Sequence, residues 1–144
     1  MSDSTGVLGD AFDLFCAKKI GTGIGRSVYI CGLDPNLVIK VEDNARNFQN
    51  VIEWETWLTV KGTEFERWFA PCIQISATGS VLVMARTIEP RKHQYPDKLP
   101  IFLTDTKHSN YGIYRNRFVC HDYGTNLLMD YGMSKKMRKV EWWD

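Results

Sequence analysis

Residues 105–124 read Asp-Thr-Lys-His-Ser-Asn-Tyr-Gly-Ile-Tyr-Arg-Asn-Arg-Phe-Val-Cys-His-Asp-Tyr-Gly. Asp105 is followed by Lys107 and Asn110, then by an apolar stretch, then by Asp122-Tyr123-Gly124. Tyr111 to Tyr114 and Arg117 to His121 have the composition of two strands, and Asn116 supplies a turn residue between them. A hairpin there carries Asp105 and Asp122 to one end. Two carboxylates, an amide oxygen and a lysine at that end suit work on a hard, negatively charged group: oxygen ligands hold Mg²⁺, and a free carboxylate takes a proton. Asp, Asn and Gly are also ordinary turn residues, so the rest of the chain must supply the context.

Upstream, Lys19 to Ile30 (Lys-Ile-Gly-Thr-Gly-Ile-Gly-Arg-Ser-Val-Tyr-Ile) sets apolar residues on either side of a glycine cluster. That pattern predicts strand, tight turn, strand. Glycines at Gly21 and Gly23 let a backbone come close to a ligand, because no Cβ intervenes. Cys31 to Asn36 is a turn, and Leu37 to Glu42 is an apolar strand interrupted by Lys40. A lysine inside such a run needs a partner, since burying an unpaired charge is costly. The region from Asn44 to Lys61 lacks Gly and Pro, and a helix is expected from about Phe48 to Val60. It offers two carboxylates, Glu53 and Glu55. Glu53 shares a face with Trp57 and Val60, Glu55 with Val51 and Leu58. The spacing favours Glu53 only slightly.

These segments resemble the protein-kinase-like fold. The catalytic loop of that family runs Asp-x-Lys-x-x-Asn and its metal-binding motif Asp-aromatic-Gly; Asp105, Lys107 and Asn110 fit the first, Asp122, Tyr123 and Gly124 the second. Gly21, Gly23 and Val28 match the family's glycine-rich loop, but Arg26 stands at its third glycine and Gly25 comes one place early. Lys40 falls on the family's strand lysine, and Glu53 or Glu55 on the helix glutamate that pairs with it. The resemblance implies an α+β fold: an antiparallel small-lobe sheet with one main helix, then a much reduced large lobe carrying the catalytic-loop hairpin. It implies ATP and Mg²⁺ as cofactors. Asp105 would be the base and Lys107 a charge beside the phosphate, while Asn110 and Asp122 would be metal ligands. Gly21, Gly23, Gly25, Arg26, Val28, Lys40, Met84 and Ala85 would line the nucleotide site, with Met84 at its back and Ala85 to Thr87 as the hinge.

The departures are as informative. Leu103-Thr104 replaces the family's His-Arg before the catalytic aspartate. The stretch from Glu89 to Pro100, with three prolines, reads as a linker too short for the family's long helices. No Ala-Pro-Glu follows Asp122, and the peptide-binding half of the large lobe is missing. The resemblance therefore implies one minimal domain, 1–87 small-lobe-like and 88–144 reduced large lobe with a basic tail. A kinase of this size resembles those that phages and mobile elements encode, which would act in a host cytoplasm. Two functions follow as expectations. One is an ATP/Mg-dependent phosphotransferase acting on itself, a protein partner or a small molecule. The other is a catalytically inactive binding or inhibitor protein acting through protein–protein contacts. Homodimer formation would cover surface that a missing half-lobe leaves open.

The remaining features set bounds. A chain of 144 residues is one domain by the usual ~100–200 residue scale. The net charge of +1 gives no general attraction to nucleic acid or membrane. Cys16, Cys31, Cys72 and Cys120 form no Cys-x-x-Cys pair, so they read as reduced core residues of a cytoplasmic protein rather than a zinc site. Residues 1–9 read as a loose start, and Asp10 to Lys18 as a short helix. Cys72 to Ser76 and Val81 to Arg86 read as a hairpin. Lys135, Lys136, Arg138 and Lys139 read as a solvated basic face; a nucleic-acid role for them is opposed by the near-neutral charge. Asn126 to Tyr131 reads as a short helix. Trp142 and Trp143 either pack back on the core or mark an interface.

Overall fold

A computed structural model describes residues 6–43, 48–126 and 128–144. Helix α1 (Val7–Phe15) leads into the hairpin β1 (Cys16–Gly23) and β2 (Arg26–Cys31); β3 (Leu37–Glu42), α2 (Gln49–Val60), β4 (Cys72–Ile75) and β5 (Val81–Ala85) follow. The five strands form one antiparallel sheet in the order β1-β2-β3-β5-β4. The chain is thus α+β with an antiparallel sheet, and no helix among the described residues is long and apolar enough to cross a membrane. Helix α1 lies earlier than the Asp10 to Lys18 expected, because Cys16 onward is drawn into the ladder with β2. Its Phe12 packs edge-on against Tyr29, with ring centroids 5.4 Å apart.

Helix α2 is preceded by Phe48, which holds φ 57° and makes no side-chain cap hydrogen bond. The cap comes from the sheet instead: the Glu42 carboxylate accepts the Asn50 backbone N–H, a negative charge at the positive end of the helix. The start of the expected helical region, 44–47, lies outside the described residues. The buried face of α2 is half polar, carrying Asn50, Glu53 and Thr56 beside Trp57 and Val60. Such a face must be met by hydrogen-bonding partners. A short 3₁₀ turn, Glu64–Trp68, closes behind the helix.

Residues 88–144 are built from shorter pieces. The hairpin β7 (Tyr111–Tyr114) and β8 (Arg117–Cys120) turns through Arg115 (φ 48°) and Asn116 (φ 64°). Two left-handed residues make the turn whose twist suits a two-residue hairpin. The hairpin is fastened to the rest on both edges: Ile88 and Ile113 exchange backbone hydrogen bonds of 2.9 and 2.7 Å, and Ala70 N–H donates to the Cys120 carbonyl at 2.8 Å. The expected linker contains structure of its own, a 3₁₀ turn at Lys92–Gln94 and β6 (Lys98–Pro100), which pairs with β9 (Met137–Lys139). The basic cluster is therefore not a plain solvated face: Arg138 lies in β9 and donates to the carbonyls of Leu103 and Thr104 at 2.8 and 3.3 Å. The helix expected at 126–131 is the single turn α3 (Leu128–Tyr131).

One core joins the sheet half to the hairpin half. Phe69 stacks on Phe102 (5.9 Å, 11°) and meets Tyr123 edge-on at 4.8 Å, and all three rings are buried. Leu99, Leu103, Leu128 and Val119 complete the same cluster. Three of the four thiols, Cys31, Cys72 and Cys120, are buried. Burial pushes the Cys72 thiol up to about 12, so it remains protonated near neutral pH.

Candidate functional site

A cleft of about 630 Å³ opens between the β1–β2 hairpin, β3, residues 85–89 and the loop and hairpin at 107–122. That volume lies within the roughly 300–1,000 Å³ usual for small-molecule sites. Its sheet-side wall carries Gly21, Gly23, Arg26, Val28, Val38 and Lys40, with Asp122 reaching Arg26 at 3.0 Å; its opposite wall carries Tyr95, Lys107, His108, Asn110 and Tyr111.

The floor of the cleft is a charge cluster centred on Glu53. Lys40, projecting from β3, donates to Glu53 Oε1 at 2.9 Å and also to the His121 carbonyl. Arg26, the first residue of β2, donates through Nη1 to Glu53 Oε1 and through Nη2 to Glu53 Oε2, each at 2.9 Å. Nη1 also reaches Asn50 Oδ1 at 3.0 Å, and Nη2 reaches Asp122 Oδ1 at 3.0 Å. The Tyr123 N–H donates to Glu53 Oε2 at 2.8 Å. Glu53 is wholly buried. Burial alone would raise its pKa, but Lys40 and then Arg26 outweigh it and hold the carboxyl at about 2. Burial likewise works against the Arg26 charge, yet Glu53, Asp122 and Glu42 keep that guanidinium above its ordinary pKa.

Asn50 binds this cluster to the fold. Its Nδ2 donates to the carbonyls of Lys40 and Gly79 at 3.1 and 3.0 Å while its Oδ1 accepts from Arg26. Sequence reasoning missed it; the only signal was a polar residue one turn before Glu53 on the same helix face. Beside the cluster, His121 Nε2 lies 2.7 Å from the Ser109 carbonyl, which can only accept. Nδ1 is therefore the acceptor for the Thr87 hydroxyl at 2.7 Å. Withdrawal from water, then the Lys40 charge, hold the His121 pKa below its ordinary value. Gly112 must be a glycine here, because a Cβ would come within 2.1 Å of Thr87 Oγ1.

The opposite wall is backed by an aromatic cluster, of which Tyr95, His108 and Tyr111 line the cleft. Trp142 packs on Tyr95, His108, Tyr111 and Phe118, at ring distances of 5.1, 5.7, 5.0 and 5.7 Å. The segment that brings it there runs along residues 106–108. Thr106 Oγ1 donates to the Glu141 carbonyl at 2.7 Å, and His108 N–H to the Trp143 carbonyl at 2.8 Å. Trp142 thus packs back on the protein, Trp143 faces Lys107 with its ring 5.4 Å from Nζ, and Asp144 pairs with His108 at 2.6 Å.

The expected site residues divide. Gly21, Gly23, Arg26, Val28, Lys40, Ala85, Lys107, Asn110 and Asp122 all line the cleft. Of the two helix carboxylates, Glu53 pairs with Lys40 and Glu55 is exposed. Met84 is fully buried in the core and leaves the wall to Ala85, and Gly25 occupies the β1–β2 turn at φ 73°. Asp105 is exposed and does not line the cleft; its Oδ1 accepts the Lys107 N–H at 3.3 Å, and its carbonyl accepts the Tyr111 hydroxyl. Mg²⁺ needs only one or two carboxylates beside phosphate oxygens, so its fit is decided at Asp122. There the metal meets a buried guanidinium 3.0 Å from the carboxylate. Among the described residues no three His, Cys, Asp or Glu side chains gather to hold a metal. In this arrangement the residues do not fit the metal.

Comparison of the sequence with protein-family models and with curated proteins finds no match.

Proposed function

We propose that this chain is a reduced protein-kinase-like protein that binds ATP in the cleft. One observation carries the reading: Lys40, buried on the central strand, is paired with Glu53 of α2 directly at the cleft floor. A lysine–glutamate pair so placed keeps a cation rigid beside the space where phosphates would lie, with Gly21 and Gly23 offering backbone close above it. The adenine would lie toward Ala85 to Thr87. Binding at a hundred times the dissociation constant stabilises a protein by roughly 2.7 kcal/mol, which raises the melting midpoint by about 5–10 °C at this size. Lys40→Ala should abolish that shift. The absence of any shift in the wild type at millimolar ATP would overturn the reading.

A second reading, transfer of the terminal phosphoryl group to a hydroxyl of a protein partner or of the chain itself, is favoured by the loop that brings Lys107 and Asn110 to the wall beside Asp122. Asp105 lies on that loop and would accept the hydroxyl's proton once the loop turns it inward. Asp105→Ala would then abolish labelling from radioactive ATP while the thermal shift persists. Transfer at the wild-type rate would remove Asp105 from the chemistry. Without transfer, the protein acts as a nucleotide-bearing binding module.

A further inference from the structure

We infer that Arg26 stands in for the divalent cation of this cleft, so that the protein binds its nucleotide without Mg²⁺. The inference takes nucleotide binding from the reading above, but its assignment of Arg26 rests on the charge cluster alone. A phosphate site containing Asp122 needs a cation there, since a bare carboxylate repels phosphate oxygens. In most such sites a metal ion supplies the charge. Here the guanidinium of Arg26 does so from within the chain.

Three features make it a fixed part of the site rather than a passing contact. Its side chain is only 4% exposed. Its two Nη atoms make four hydrogen bonds, to Asn50, to both oxygens of Glu53 and to Asp122. Its partners come from α2 and from the strand end after β8, so the guanidinium is held from two directions. With Lys40 included, two cations face the two carboxylates they pair with, and Glu42 adds a further negative charge near Arg26. A divalent ion added at Asp122 would lie against the Arg26 guanidinium, which already holds Asp122 Oδ1 at 3.0 Å and cannot give up its charge. A nucleotide phosphate would instead find Asp122 already neutralised. Lys40 is placed to meet it: two of its three ammonium protons are engaged, by Glu53 and the His121 carbonyl, which leaves one for the ligand.

The test has two arms. The first titrates the free protein with Mn²⁺, followed by electron paramagnetic resonance, and needs no nucleotide. The wild type should show no site tighter than millimolar, and Arg26→Gln should gain one that Asp122→Asn removes in the double variant. A Mn²⁺ site in the wild type that is lost in Asp122→Asn overturns the assignment. Arg26→Gln touches a buried cluster, so Asp122→Asn alone, at a half-exposed side chain, serves where that variant does not fold. It should leave wild-type metal behaviour unchanged. The second arm measures ATP affinity by calorimetry in Mg²⁺ and in EDTA. Wild-type dissociation constants should agree within about threefold. A tenfold or greater loss in EDTA overturns the inference. If ATP binds in neither buffer, the nucleotide-binding reading fails, and the Mn²⁺ arm still decides whether Arg26 holds the cation position.

Discussion

On one side of the cleft, Arg26, Lys40, Glu53 and Asp122 meet as two cations and two carboxylates; behind the other, Tyr95, His108, Tyr111 and Phe118 surround Trp142. Both walls tie together residues far apart in the chain, but they fail differently. In the charged wall each group is balanced by the others at about 3 Å, and removing one leaves a buried charge without its counterpart. In the ring wall each contact adds on the order of 0.5–1.5 kcal/mol and makes little demand on its neighbours' ionisation. A cooperative wall and an additive wall thus enclose one cavity.

The sharpest way to break this contrast is Glu53→Gln. It leaves Arg26 and Lys40 buried around a neutral amide, and we expect a loss of about 3–5 kcal/mol in urea unfolding. A loss below about 1 kcal/mol would show that the cluster does not hold β2, β3 and α2 together. The same group sets the acid limit. Its folded pKa, about 2, lies below the ordinary 4.5. The stability it contributes is therefore complete above pH 4.5 and is lost as the pH falls through the folded value near 2. Melting curves from pH 5 to pH 2 should show that decline, and Glu53→Gln should lack this component.

Trp142→Ala comes next, at about 2–4 kcal/mol. That is somewhat under the ~3–5 kcal/mol of a fully buried aromatic, because the ring is only half-buried, though it also loses the bond from Nε1 to the Pro96 carbonyl. The loss should be the same in low and high salt, since no charge is removed. A cost that changes severalfold with salt would mean the ring wall leans on the ion pairs after all.

The sheet half was largely legible in the sequence. Leu37 to Glu42 and the helix through Val60 announced themselves by composition, and the face shared by Glu53, Trp57 and Val60 is the face the fold buries. The Glu53–Glu55 ambiguity was real because α2 buries three polar residues and so blurs its own periodicity. Less was legible where a partner is distant in sequence. Nothing local to Lys98–Pro100 names Met137–Lys139 as its strand partner, and Arg138 looked like one member of a basic run until carbonyls at 103 and 104 met it. Arg26 was conspicuous as a departure from a glycine pattern. Its destination was not, because the side chains that receive it lie 24, 27 and 96 residues away. The position of Asp105 depends on the turn of a single loop, which residue type does not dictate.

The smallest effect tests whether the two walls are separate. Asp144 and His108 form the one carboxylate–imidazole contact in the ring wall among the described residues, at 2.6 Å, yet the Asp144 side chain is 98% exposed. A pair so placed is screened by water and salt and is worth little, whatever its length. His108 is held by other means: its ring stacks on Trp142 13° from parallel, and its N–H is bonded to the Trp143 carbonyl. Asp144→Asn should therefore shift the melting midpoint by less than about 2 °C, in low salt as in high. A larger shift that fades in high salt would mean that this pair helps to hold the 106–108 loop. The ring wall would then share the charged wall's cooperativity, and its response to Trp142→Ala would have to depend on salt in the same way.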